Sequence, residues 1–314
     1  MMIAFVVMAL AAFYALAHSF VAFDIGDCGL VFTSANNWIA SPLTAVLFNL
    51  AVCLLIIVLM VYINKAFTIP RSITSIYATL FAVMQTATPD LTGAFAPGNV
   101  LCILISACMV LMFSSYAEPM AQRRVFLVFF LLSAAVSFQY AYIVYIPVFA
   151  VACAQMRLVS PRTVIAAIIG VITPWWLLFG FGIIAPADFH WPALASIFTA
   201  GIARHSGFLI VAAALSAILA VAGYSLSFLK LMTYNARTRA CNGLIILVCL
   251  ATVLAMCVDF GNILTYLPML NFCSAFMLSH MFVIRNRPRA WISAATIVIV
   301  YYILYIVSIW RVIA

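Results

Sequence analysis

Residues 123–162 read RRVFLVFFLLSAAVSFQYAYIVYIPVFAVACAQMRLVSPR, and how often this stretch crosses a bilayer decides the fold. A helix rising ~1.5 Å per residue needs roughly 20 apolar residues to span a hydrocarbon layer of about 30 Å. The apolar run 125–156 is too long for one such span and short for two. Its flanks resolve the choice, because Lys and Arg are retained on the cytoplasmic side of short loops. A single crossing would leave Arg157 and Arg162 outside and give every later loop the wrong sign. Two short helices meeting near Gln139 keep both these arginines and Arg123–Arg124 inside.

The same alternation runs through the whole chain. Apolar segments at 1–23, 43–64, 98–117, 163–184, 206–229, 241–258, 262–284 and 290–310 join a shorter, more polar run at 72–88. Lys65 and Arg71, then Lys230, Arg237 and Arg239, then Arg285, Arg287 and Arg289 mark further inner turns. Asp24 and Asp27, then Asp90, Asp188 and Asp259 fall between them. Arg204, Arg311 and Glu118 depart from the pattern. With 69% hydrophobic and 6% charged residues, a water-soluble fold has no place to hide the apolar surface. The expected fold is all-α: one integral-membrane domain over residues 1–314, a polytopic transmembrane bundle of about eleven helices. Its N-terminus is expected inside, its C-terminus outside, and a short-helix pair near 125–156.

The net charge of +8 arises in the inner turns, so it reads as topology and contact with anionic lipid, not as a nucleic-acid surface. Eight of the nine cysteines lie in or at the start of apolar segments and none forms a CxxC pair, so they read as small packing residues. Ala15-Leu16-Ala17 resembles a cleavage site but lacks a basic region before it, and the first helix is read as retained.

Polar residues inside spans are where a membrane protein reveals its task. Asn49, Gln85, Asn262 and Asn271 are expected to bond across helices, and Ser72, Ser75, Thr79, Ala82 and Thr86 form a small-residue seam. No acid or base lies at mid-depth, which argues against an ion-coupled transporter. Pro147, Pro174 and Pro268 interrupt spans, and Trp175–Trp176 after Pro174 either wall a cavity or fill a kinked junction. Helices of about 15 residues rise only ~22 Å. The turn at Gln139, Tyr140, Tyr142 and Tyr145 is therefore expected to sit below the outer surface, at the foot of an open funnel. Gln139, Tyr140, Tyr142 and the tryptophan pair are the ligand-cavity candidates.

Asp24 and Asp27 are the catalytic candidates. Integral-membrane glycosyltransferases that use polyprenyl phosphates carry acids in their first outer loop, where a carboxylate serves as general base. The stretch Phe23-Asp24-Ile25-Gly26-Asp27-Cys28 lacks that family's clustered acids and large outer domain, and an ordinary acidic loop is the plainer reading. Arg285, Arg287 and Arg289 are candidates for anionic lipid contact. The outer histidines His18, His190 and His205 match no metal-ligand spacing, so neither metal nor cofactor is expected. An interfacial helix is expected over 191–204, and His280 is expected to be a packed or interfacial histidine.

Asn99, then Arg123-Arg124-Val125-Phe126, Phe130–Ser133, the tyrosine-rich turn 140–145, and Pro161-Arg162 leading to Gly170 and Pro174-Trp175-Trp176 together resemble a family of multi-span inner-membrane proteins of Bacteroidota, a domain of unknown function. The resemblance implies a membrane bundle in a bacterial inner membrane and transfers no catalytic residue. Three functions stay open: a non-enzymatic component of an envelope assembly with protein and lipid partners, an outer-face enzyme on lipid-linked glycans, and a transporter.

Overall fold

Proline opens four of the helices, a position where its missing N–H is no loss and its fixed φ suits the first turn. Pro42 begins α2 (Pro42–Phe67), Pro89 the short α4 (Pro89–Thr92), Pro97 α5 (Pro97–Ser114) and Pro161 α8 (Pro161–Gly180). Before Pro161 a reciprocal cap completes the start, with Thr163 N donating to Ser160 Oγ at 3.2 Å and Ser160 N to Thr163 Oγ1 at 2.9 Å. The remaining helices are α1 (Met2–Ala17), α3 (Ile76–Thr86), α6 (Gln122–Val136), α7 (Tyr145–Gln155), α9 (Gly207–Met232), α10 (Ala236–Val258), α11 (Ile263–Ile284) and α12 (Arg287–Ile313). The computed structural model describes residues 2–17, 29–33, 35–39, 41–69, 76–185, 188–189, 207–284 and 287–313. All regular structure among them is helical, and seven helices are long and apolar enough to cross a membrane.

The stretch 123–162 is two helices, α6 and α7, joined by a tight turn at Tyr140–Val144 beside Gln139. Its two basic flanks lie together, because Ala117 N donates to Met156 O at 3.0 Å. Ala117 and Arg157 both take a left-handed backbone there, φ 55° and 57°, which turns the chain sharply at each end of the pair. Arg237 joins the same end of the bundle, reaching Phe113 O at 3.4 Å and lying over the Phe67 ring. The turns after α2, α5, α7 and α9 thus gather at one end, as the charge alternation requires.

α11 is the axis, packed against α3, α5, α9 and α10. Glycine lets two of these come close. A Cβ on Gly98 of α5 would stand 2.5 Å from Thr265 O and 2.7 Å from Leu264 O, and one on Gly223 of α9 would stand 2.8 Å from the Met277 backbone. Pro268 leaves the Leu264 carbonyl without its helical donor at the point where Gly98 approaches. α8 lies outside, packed chiefly on α6 through Gly170, with Ser133 Oγ donating to Val171 O at 2.6 Å.

Candidate functional site

Two polar centres lie inside this apolar bundle. The first is a file of side chains bonded head to tail. Tyr301 of α12 donates to Ser216 Oγ of α9 (2.8 Å), whose hydroxyl donates to Asn271 Oδ1 of α11 (2.8 Å). Asn271 Nδ2 donates to Gln85 Oε1 of α3 (3.1 Å), Gln85 Nε2 to Asn99 Oδ1 of α5 (2.8 Å), and Asn99 Nδ2 to Asn49 Oδ1 of α2 (2.7 Å). Asn49 Nδ2 ends the file on Leu91 O of α4 (2.8 Å). Every member is at most 1% exposed. Because all the dipoles point the same way, each bond polarises the next, and reversing one amide would set donor against donor. Ser274 adds a bond from its hydroxyl to Ser216 O at 2.8 Å.

The second centre surrounds Asp259, in the turn between α10 and α11. Its buried carboxylate accepts from Tyr140 Oη at 2.7 Å, from Tyr266 Oη at 3.3 Å, and from Asn262 Nδ2 at 3.0 and 3.2 Å. Asn262 Nδ2 also meets Tyr140 Oη. Nearby, Gln139 Nε2 donates to Thr265 Oγ1 at 3.3 Å, and the Tyr145 and Thr252 hydroxyls lie 2.9 Å apart. The apex of the α6–α7 pair is therefore bonded to α10 and α11 by side chains, and several donors hold the carboxylate in place of water.

The open funnel expected over this apex is not present among the described residues. Val31 N and Phe32 N both donate to Ser137 O at 3.1 Å, Phe32 stacks on Phe138, and Trp38 meets Phe138 edge-on. Residues 29–33 and 35–39 roof the turn, since short helices leave their end groups reachable by the preceding loop. Beneath the roof a cavity of about 240 Å³ is lined by Trp38, Phe138, Gln139 and Tyr142. Gln139 and Tyr142 thus share a cavity, while Tyr140 turns to Asp259. Trp175 stacks on Phe189 and Trp176 is 67% exposed, so the pair divides between the two sides of α8.

Among the described residues Asp90 of α4 is the other buried acid, at 9% exposure, and burial pushes its carboxyl up to about 6, offset in part by a bond to its own backbone. Asp188 accepts from Ala185 N at 2.7 Å within its own turn, and Glu118 pairs with Arg124. His280 is packed as expected, with Nε2 against Asn242 Oδ1 at 2.8 Å. Asp24, Asp27, His18, Ser72, Ser75, His190, His205, Arg285 and the segment 191–204 lie outside the described residues, as do the side chains of Arg287 and Arg289. Among the described residues no group of three His, Cys, Asp or Glu is arranged to hold a metal.

Sequence reasoning named Asn49, Gln85, Asn262, Asn271 and Tyr140, and read Asp90 and Asp259 only as loop charges marking topology. The signal available for Asp259 was its neighbours, since Asn262 and Tyr266 follow it at spacings of three and seven. Compared with protein-family models, curated proteins and solved structures, the chain matches none.

Proposed function

We propose that this chain is a multi-pass component of a bacterial inner membrane, acting as a scaffold or subunit of an envelope assembly. The observation that carries the reading is the file from Tyr301 to Leu91, which spends the interior's polar groups on holding helices to one another. A core bonded in this way is a rigid body, suited to presenting its outer faces to partners. On this reading all eleven described helices of eleven or more residues cross or enter the bilayer, with the N-terminus inside and the C-terminus outside, in line with the gathering of basic turns at one end. Arg285, Arg287 and Arg289 then meet anionic headgroups.

The experiment is mass spectrometry of proteins and lipids in the tagged chain isolated in lipid discs from native membranes. A stoichiometric protein partner is expected. An isoprenoid-linked lipid retained without a partner would overturn the reading.

Asp90 favours a second reading, an outer-face enzyme acting on a lipid-linked glycan. A carboxyl held near 6 exchanges a proton close to neutral pH, as general acid–base chemistry requires. Turnover of a polyprenyl-phosphate glycan that is lost in Asp90→Asn would establish it. Activity kept in Asp90→Asn but lost in Asp24→Asn or Asp27→Asn would move the chemistry to the first outer loop.

A further inference from the structure

Consecutive helices usually pack side by side, yet α9 and α10 touch little along their length, each resting instead on α11. The gap between them is a groove of about 640 Å³, a size typical of small-ligand sites. Ala217 and Val221 of α9 form one wall, Ile246, Leu250 and Val253 of α10 the other, and Met277 of α11 part of the floor. The walls belong to helices with mean hydropathies of 2.2 and 2.5, so the surroundings of the groove are hydrocarbon.

The end of the groove toward the α9–α10 turn is basic. Arg239, Ile246 and Val253 repeat at intervals of seven and so share one face of α10, with Arg239 two turns below the groove wall. Arg239 is exposed, and its guanidinium has no hydrogen-bond or ion-pair partner among the described residues, whereas Arg237 is committed to Phe113 and Phe67. No acidic residue occurs anywhere from 189 to 258, while Lys230, Arg237 and Arg239 cluster within it. Arg239 stands in the first turn of α10, where unpaired backbone N–H groups also favour an anion. At the same level lies His280, three residues beyond Met277 and bonded to Asn242. It is 1% exposed, and its Nδ1 has no partner among the described residues.

The dimensions agree with one leaflet. Arg239 to Val253 is a rise of about 21 Å, close to half of a ~40–45 Å membrane measured with its headgroups. We propose that the α9–α10 groove holds one acyl chain of an anionic phospholipid whose phosphate rests on Arg239. The site is separate from the amide file and from Asp259, and stands whichever function those serve.

The full chain is reconstituted from vesicles of phosphatidylcholine and phosphatidylglycerol at three to one, released gently, and weighed intact with its bound lipids. Wild type is expected to retain one phosphatidylglycerol in preference to phosphatidylcholine. Arg239→Gln, an exposed change, should lower that preference at least tenfold while leaving the total lipid retained unchanged. The pair Val221→Trp and Leu250→Trp, both at positions more than half exposed, fills the groove mouth and should remove the retained lipid of either kind. Equal phosphatidylglycerol retention in Arg239→Gln would overturn the headgroup assignment, and equal retention in the tryptophan pair would overturn the groove. A wild-type dimer that the tryptophan pair converts to monomer would also overturn it, by placing a second copy there.

Discussion

α11 and α8 reverse the rule that serves for proteins in water. α11 has the lowest mean hydropathy of the seven long apolar helices, 1.2, and 89% of its most apolar 18-residue stretch is buried; for α8, at 1.9, that share is 17%. α2 is the most apolar, at 3.0, and less than half buried. In water the apolar helix goes to the centre because burial removes it from solvent. In lipid, leucine gains little by moving inward, whereas an asparagine or serine left facing hydrocarbon has no partner. The helix carrying Asn271, Ser274, Thr265 and His280 therefore takes the axis, and the helix carrying Ile165, Ile168, Ile169 and Ile172 takes the rim.

The comparison breaks first where another helix touches the axis most closely. Gly98→Ala sets a Cβ against two α11 carbonyls that cannot move independently of their helix. We expect a loss of up to about 3 kcal/mol, read as a lowered thermal midpoint in lipid discs. Asn271→Leu makes α11 more apolar and yet should destabilise it by about 1–2 kcal/mol, because Gln85 and Ser216 both lose their partner in a dry interior. Denaturation in mixed detergent measures this, and a stabilised Asn271→Leu would remove the basis of the contrast.

At the entrance to α11, Tyr140→Phe deletes one donor to Asp259 while Tyr266 and Asn262 stay. A cost near 1 kcal/mol is expected, seen as faster hydrogen exchange confined to 259–265 and the α6–α7 turn. Trp176→Leu on the rim should change stability by less than about 0.5 kcal/mol, because the ring faces outward.

A pH series adds one sign. Asp90 has its carboxyl raised in the fold, so its protonated form is favoured there, and stability falls as pH rises from about 4 through about 6. Asp90→Asn should flatten that slope and be the more stable protein at pH 8, by roughly 3 kcal/mol. An unchanged slope would mean that another group is responsible.

Much of this architecture was legible in the residues. Arginine at both ends of 125–156 is enough to demand a hairpin, and α6 and α7 form it. The amides at 49, 85, 262 and 271 stood out because a carboxamide in an apolar run must bond to something. Their partners did not, since sequence orders the helices along the chain but not around the axis. Asn99 stands in the first turn of α5, at the opening of the apolar segment 98–117, and also bridges Asn49 and Gln85. The roof over Gln139 was hidden for another reason. Nothing in the polarity of 29–39 distinguishes a loop that waves in water from one that donates its backbone to Ser137.

The bond between Gln85 and Asn271 joins residues 186 positions apart. At about 5–20 residues per second of synthesis, the first half of the file waits roughly 10–40 seconds for the second. On the proposed topology, α2, α3 and α5 would by then be in the bilayer with Gln85 Oε1 unmatched. On that topology the young chain would carry a polar handle inside the membrane, open to a chaperone or a neighbouring subunit until α11 arrives.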